Sequence, residues 1–192
     1  MADFPFTFDM PFPRWIPTRV DNHIIRKLSA MRGQYQDGHA YEEMLKNEDT
    51  VIYEVYEVRR PEIAGEFLMG VSVVHPGMVG AEFFMTKGHF HRLIDTAEVY
   101  LCLSGEGFML METPEGDASV NPISPGRVLY VPPRWAHRTV STSRQQDLVF
   151  FFAYPANAGH DYGTIEKKGF RKLVMEVEGQ VQVVDNPRWE KP

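Results

Sequence analysis

Residues 98–113, EVYLCLSGEGFMLMET, place two short apolar segments on either side of a Ser-Gly-Glu-Gly turn. Neither segment is long enough for an ordinary globular helix, and both read as strands. The signature repeats from Val51 onward. VIYEVYEV (51–58), FLMGVSVVH (67–75), EFFM (82–85), RVLYVP (127–132), DLVFFFAYP (147–155), KLVMEVEG (172–179) and QVQVVD (180–185) bring the expected strands to nine. They are rich in β-branched and aromatic residues, and HPGM, PEGD and SPGR supply turns between them. LVFFFAY lacks alternation, which predicts a strand covered on both faces. No long helix intervenes, so an all-β sandwich or barrel is expected.

The first fifty residues differ. Pro5, Pro11, Pro13 and Pro17 punctuate an extended arm. In AYEEMLKN (40–47), Tyr41, Met44 and Leu45 share one helical face, and Glu42 and Lys46 have i,i+4 spacing, which predicts a short helix. Ile24, Leu28 and Met31 are in register for a second helix over 22–31. The expected organisation is an arm with one or two short helices over 1–50, packed on a β-barrel over 51–192, as one structural domain.

A chain of 192 residues is long enough for one domain with a real core. The net charge is −6, and the basic residues are dispersed without a basic face, so nucleic-acid binding is not expected. No apolar run approaches a membrane span, and MADFPFTFDMPF does not read as a secretory signal. Cys102 is the lone cysteine, which rules out an intrachain disulfide and suits a cytoplasmic location.

Four residues carry the chemistry. His89 and His91 in GHFH sit at i,i+2, a spacing that projects both imidazoles from one face of a strand. Glu98 lies between Ala97 and Val99 in an apolar strand, where an unpaired carboxylate is costly. His137 follows the rigid turn PPRW. An HxH pair alone is often surface decoration, but one shared metal explains all four. Three imidazoles and a carboxylate suit Fe(II), Mn(II), Ni(II) or Zn(II), and a six-coordinate ion would keep two positions for water or substrate.

Residues 88–107, GHFHRLIDTAEVYLCLSGEG, resemble the first cupin motif, and 126–137, GRVLYVPPRWAH, resemble the second. Six residues separate His91 from Glu98 where the general motif has three or four; Arg134 stands at a glycine position and Ser141 at a common asparagine. Together TKGHFH, AEVY, TPEGD, YVPPRWAHRTV, YPANAGHDYGTI, KGF and VVDNPRW are similar to the cupin-type glucose-6-phosphate isomerases of archaea and some bacteria. The similarity runs from about Tyr41 to Trp189.

That resemblance implies a jelly-roll barrel and one divalent metal per subunit, Fe(II) favoured, on His89, His91, Glu98 and His137. It implies a phosphosugar substrate, a homodimer and a place in glycolysis and gluconeogenesis. It makes Glu98 the candidate base, and it points to Tyr53, Thr86, Gly88 and Tyr162 for the phosphate, with Ser72 replacing a family threonine. His160, in the glycine-bounded AGHDYGT loop, is expected to assist ring opening or proton shuttling, and Tyr100 to hydrogen-bond substrate or Glu98. Lys87 is expected to point away from Thr86 and Gly88. Cys102 reads as a small buried hydrophobe, and Trp135 and Trp189 as packing residues. His23, His39 and His75 read as structural or surface residues. An oxygen-consuming cupin enzyme, a non-enzymatic sugar-binding cupin and activity on mannose 6-phosphate are the competing readings.

Overall fold

The computed structural model describes residues 4–191; residues 1–3 of the expected arm, and 192, lie outside it. In chain order the first half contains β1 (Asn22–Lys27), a 3-10 turn (Leu28–Met31), α1 (Gly38–Asn47), β2 (Val51–Val58), β3 (Phe67–Val74), β4 (Met78–Val79), β5 (Glu82–Phe83) and β6 (Phe90–His91). The second half contains β7 (Glu98–Ser104), β8 (Gly107–Glu112), β9 (Ala118–Ile123), β10 (Val128–Val131), β11 (Ala136–Ser141) and β12 (Leu148–Pro155). It ends with β13 (His160–Asp161), α2 (Gly163–Lys168), β14 (Lys172–Val177) and β15 (Gln180–Asp185). Among the described residues no helix is long and apolar enough to cross a membrane.

One sheet has six strands in the order β1-β2-β3-β12-β7-β10, paired antiparallel. Facing it are smaller sheets, β11-β8-β9, β13-β6 and β15-β14-β5-β4. This is the all-β jelly roll expected from the sequence. Apolar side chains of both layers meet in one core that includes Phe83, Phe84, Met109, Leu110, Phe150 and Phe152. β12 lies between β3 and β7, with Phe150, Phe152 and Tyr154 in the core on one face and Val149 in the outer cluster on the other, so its sequence lacks a polar face. On the outer face, Met10, Trp15 and Ile16 of the arm pack against Tyr56, Val71, Val73 and Val149.

The N-terminal region departs from the helix expected over 22–31. Asn22–Lys27 is β1, which alternates half-buried and exposed residues and pairs with β2. The helical spacing of Ile24, Leu28 and Met31 is coincidental, because Leu28 and Met31 enter the core from the 3-10 turn. Helix α1 forms as expected. The Asp37 carboxylate caps it by accepting from the Ala40 N–H at 2.9 Å, and the Tyr41 hydroxyl donates to the Leu28 carbonyl at 2.9 Å. Lys46 pairs with Glu43 at 2.6 Å instead of the expected Glu42, which takes Arg32.

One buried cation fixes the segment that leads into the HxH pair. On β11, His137 and Thr139 face the cavity, while Arg138 points the other way and is almost fully buried. Its Nε and Nη2 both donate to the Lys87 carbonyl, at 3.2 and 2.5 Å, Nη2 also donates to Gln34, and the guanidinium stacks 4.7 Å over Phe170. Burial pushes its pKa down to about 10, against the attraction of the buried Glu82. Arg138→Ala would leave the Lys87 carbonyl and Gln34 without their buried donor and would remove one of the two cations that attract Glu82. Urea unfolding should show a loss of about 3–5 kcal/mol, whereas an effect under 1 kcal/mol would remove Arg138 from this role.

Candidate metal centre and active site

His89, His91, Glu98 and His137 converge, with one ligand atom from each lying within 4.8 Å of all the others. Backbone pairing brings them together. His89 and His137 face each other across an isolated antiparallel bridge, with N–H···O distances of 3.3 and 3.1 Å. His91 is in β6, and Glu98 opens β7. Glu98 Oε2 lies 3.1 Å from His91 Nε2 and 3.0 Å from His137 Nε2. Burial alone would raise the Glu98 carboxyl, but the His137 and His91 imidazoles outweigh it and hold it at about 2. His89 is held well below the usual histidine range by burial and by its three neighbouring imidazoles, and so is neutral.

The hydrogen bonds around His91 decide its tautomer. Its Nδ1 lies 2.8 Å from Thr96 Oγ1 and 3.1 Å from the Thr96 carbonyl oxygen. The Thr96 hydroxyl donates its own proton to the Leu93 carbonyl at 2.6 Å, so both Thr96 oxygens can only accept. Nδ1 therefore carries the proton, and with the imidazole neutral Nε2 presents a lone pair. That lone pair faces a carboxylate oxygen at 3.1 Å. A proton on Nε2 makes the pair an imidazolium–carboxylate contact, and a metal ion that displaces this proton would meet a lone pair from each group. His89 Nε2 and both ring nitrogens of His137 are buried without a hydrogen-bond partner. The donor set and its orphaned nitrogens fit one divalent metal ion.

The centre opens into a cavity of about 370 Å³, within the range of small-molecule sites. The cavity is also lined by Tyr53, Ser72, Thr86, Gly88, Tyr100, His160 and Tyr162, so every residue expected at the substrate lies around one space. Burial, together with the nearby Glu98 carboxylate, raises the Tyr100 pKa well above the usual range. His160 is carried to the centre by β13, where it pairs opposite His91, and its ring lies 4.3 Å from that of His89. Burial lowers the His160 pKa, and Tyr162 stacks on the ring at 5.6 Å.

Also on the cavity wall, Thr86 Oγ1 accepts from the Thr139 N–H at 3.1 Å and is left free to donate its own proton. Gly88 has φ +74°, and a Cβ there would meet the Phe170 ring at 2.5 Å and the His137 carbonyl at 3.0 Å. Only glycine suits both the conformation and the space. Lys87 turns away, as expected, to Glu166 at 2.7 Å.

Several pocket residues escaped the sequence reading, among them Thr139, Tyr154, Glu57 and Leu68. Thr139 is two residues beyond His137 on the same strand face, so period-two spacing could have found it. Tyr154, whose ring lies 5.5 Å from His91, was hidden in the uniformly apolar β12. Glu57 lines the wall and accepts from Asn22 and Arg59 at 2.7 and 2.8 Å. Leu68 is buried opposite Tyr154. Cys102 is a buried small apolar residue as expected, with burial pushing its thiol up to about 11. His23 and His75 both bond Glu54, outside the cavity.

A sequence profile of the family described as Glucose-6-phosphate isomerase (GPI) matches residues 25–190. The chain belongs to this family. The glucose-6-phosphate isomerase of Pyrococcus furiosus is 53% identical over 87% of this chain and 88% of its own length. That of Thermococcus gammatolerans is 54% identical over 86% and 87%. That of Sinorhizobium medicae is 41% identical over 86% and 78%. Among solved structures, Bacillus subtilis oxalate decarboxylase at pH 4.6 superposes with a TM-score of 0.45 at 22% identity, over 57% of this chain and 26% of its own.

The Thr96 contact provides a direct test of the centre. Thr96→Val removes one acceptor from His91 Nδ1, and metal affinity should fall roughly 10- to 100-fold in a chelator competition. Unchanged affinity would show that Thr96 does not orient the ring.

Proposed function

We propose that this glucose-6-phosphate isomerase works on its open-chain sugar at the His89, His91, Glu98 and His137 centre, with the phosphate at the Thr86–Gly88 end. The observation that carries the reading is the convergence of His89, His91, Glu98 and His137 within 4.8 Å at a cavity that hydroxyl donors line. The metal, when bound, supplies a Lewis acid and a template for the oxygens on C1 and C2. Fe(II) is the favoured ion; the same donors suit Mn(II), Ni(II) and Zn(II).

The chain's own groups have separate tasks. The hydroxyls of Tyr53, Ser72, Thr86 and Tyr162 and the backbone N–H of Gly88 hold the phosphate. His160, neutral because it is buried, can accept or return a proton at a substrate hydroxyl during ring opening. Glu98 is the candidate base moving a proton between C2 and C1, and the Tyr100 hydroxyl orients its carboxylate. Ligation draws electron density from that carboxylate, so base and ligand compete in one group. That competition favours a second reading, transfer of the hydrogen directly between C2 and C1 as hydride.

A homodimer fits the edge strand β10, where exposed Val128 and Tyr130 lie next to exposed Val99 of β7. A cytoplasmic location fits the single, reduced cysteine. Mannose 6-phosphate, which differs from glucose 6-phosphate at the carbon that becomes planar in the reaction, is a candidate second substrate.

A coupled assay from fructose 6-phosphate to glucose 6-phosphate tests the metal. Chelator-stripped protein should be inactive and should recover on reloading with single divalent ions; activity indifferent to stripping would remove the metal from the reaction. Run in deuterated water, the same assay separates the two hydrogen transfers. Deuterium at C1 or C2 supports Glu98 as base, and Glu98→Gln should then lose at least about 100-fold in kcat. Product without solvent deuterium, together with a metal-retaining Glu98→Gln of near-normal turnover, would remove Glu98 as base.

A further inference from the structure

A phosphate dianion moved from water into a cavity needs opposite charge as well as hydroxyl donors. Most cations around this cavity are already committed. Lys87 points outward to Glu166, and Arg138 is buried against the Lys87 carbonyl and Gln34. Arg59 is paired with Glu57 at 2.8 Å, at the opposite end of β2 from Tyr53. Arg92 is exposed and packs beside Gly159, on the His160 side.

Arg26 is placed differently. It sits in β1 directly across from Tyr53 of β2, two residues beyond Ile24, which lines the cavity from the same strand face. The register shifts between Arg26 and Lys27, a bulge of the kind that re-aims a side chain next to a site. The guanidinium is half-buried, and its charge is close enough to Tyr53 and Tyr162 to oppose the rise that burial imposes on both phenols. Tyr53 in turn lies within reach of the backbone at Lys87. Among the described residues no carboxylate lies within ion-pair distance of Arg26. Arg26 thus stands as a half-buried cation behind Tyr53 and Tyr162, which line the cavity with Thr86 and Gly88, and its charge is unmatched close to where the substrate brings its own.

We propose that Arg26, facing Tyr53 across β1 and β2, is the cation that binds the substrate phosphate. The inference rests on the placement of the phosphate at the Thr86–Gly88 end. Through Tyr162, which stacks on His160, the same contact ties phosphate occupancy to the loop that delivers His160 to the metal centre. Phosphate binding energy is thereby available to organise the reacting end.

The test compares Arg26→Gln, Arg26→Lys and Arg92→Gln as metal-loaded proteins. It uses KM for fructose 6-phosphate and, as a direct readout, calorimetric binding of inorganic phosphate. Arg26→Gln should raise KM and weaken phosphate binding roughly 10- to 100-fold with metal content unchanged, and Arg26→Lys should recover part of both. Should Arg26→Gln melt early, Arg26→Met against Arg26→Lys makes the same comparison. Wild-type phosphate binding in the charge-free variants would overturn the proposal, as would a loss that appears in Arg92→Gln instead. Thr86→Ala and Tyr162→Phe separate the two levels. If they weaken phosphate binding while Arg26→Gln does not, Arg26 alone is wrong; if none of them does, the placement of the phosphate fails and the proposal with it.

Discussion

The structure depends on a carboxylate held away from water opposite a lone pair. Glu98 is almost fully buried between His137 Nε2 at 3.0 Å and His91 Nε2 at 3.1 Å, and the His91 ring keeps a proton on its other side, against Thr96. Without a cation this arrangement is costly, so the surrounding framework must hold it in place. That explains why His89 and His137 share a backbone bridge and why β13 is zipped onto β6. It also explains the nearly complete burial of Arg138, an expensive group whose double contact with the Lys87 carbonyl holds the approach to the histidine pair.

Much of this was legible in the sequence because the relevant signals are local. Two histidines at i,i+2 declare a shared face, and an acid flanked by Ala97 and Val99 declares a buried charge. The nine expected strands are recognisable as short apolar runs, although several prove shorter than read. EFFM narrows to Glu82–Phe83 followed by a bridge at Met85. Strands without that signature were missed. β9, ASVNPI, is polar and contains Pro122; β11, AHRTVS, is buried throughout and yet holds only two aliphatic residues. Their burial comes from tertiary pairing with β8, which composition does not reveal. α2 has only six residues, too few to show a helical period.

The least legible part of the site is what depends on distant pairing. Arg26 belongs to the RKL run at 26–28, which reads as solvated charge, and its partner Tyr53 is 27 positions away. Glu57 sits in a strand whose other acid, Glu54, turns to the outer face to meet His23 and His75. Odd separation along β2 puts the two acids on opposite faces, but which face is inside follows only from the pairing with β1 and β3. Residue type and spacing thus identified the chemistry that one strand or hairpin supplies, and sheet topology identified the partners.

Cys102 has a practical consequence of another kind. The protein has one thiol, located under the six-stranded sheet two residues along from Tyr100, and burial keeps it protonated at ordinary pH. A thiol reagent in solvent reaches it only when β7 separates from its neighbours, the same strand whose first residue is Glu98. The wild-type chain therefore carries its own single-site gauge of barrel opening. The rate of modification reports how often the wall behind the reacting centre comes apart, with no label or substitution introduced.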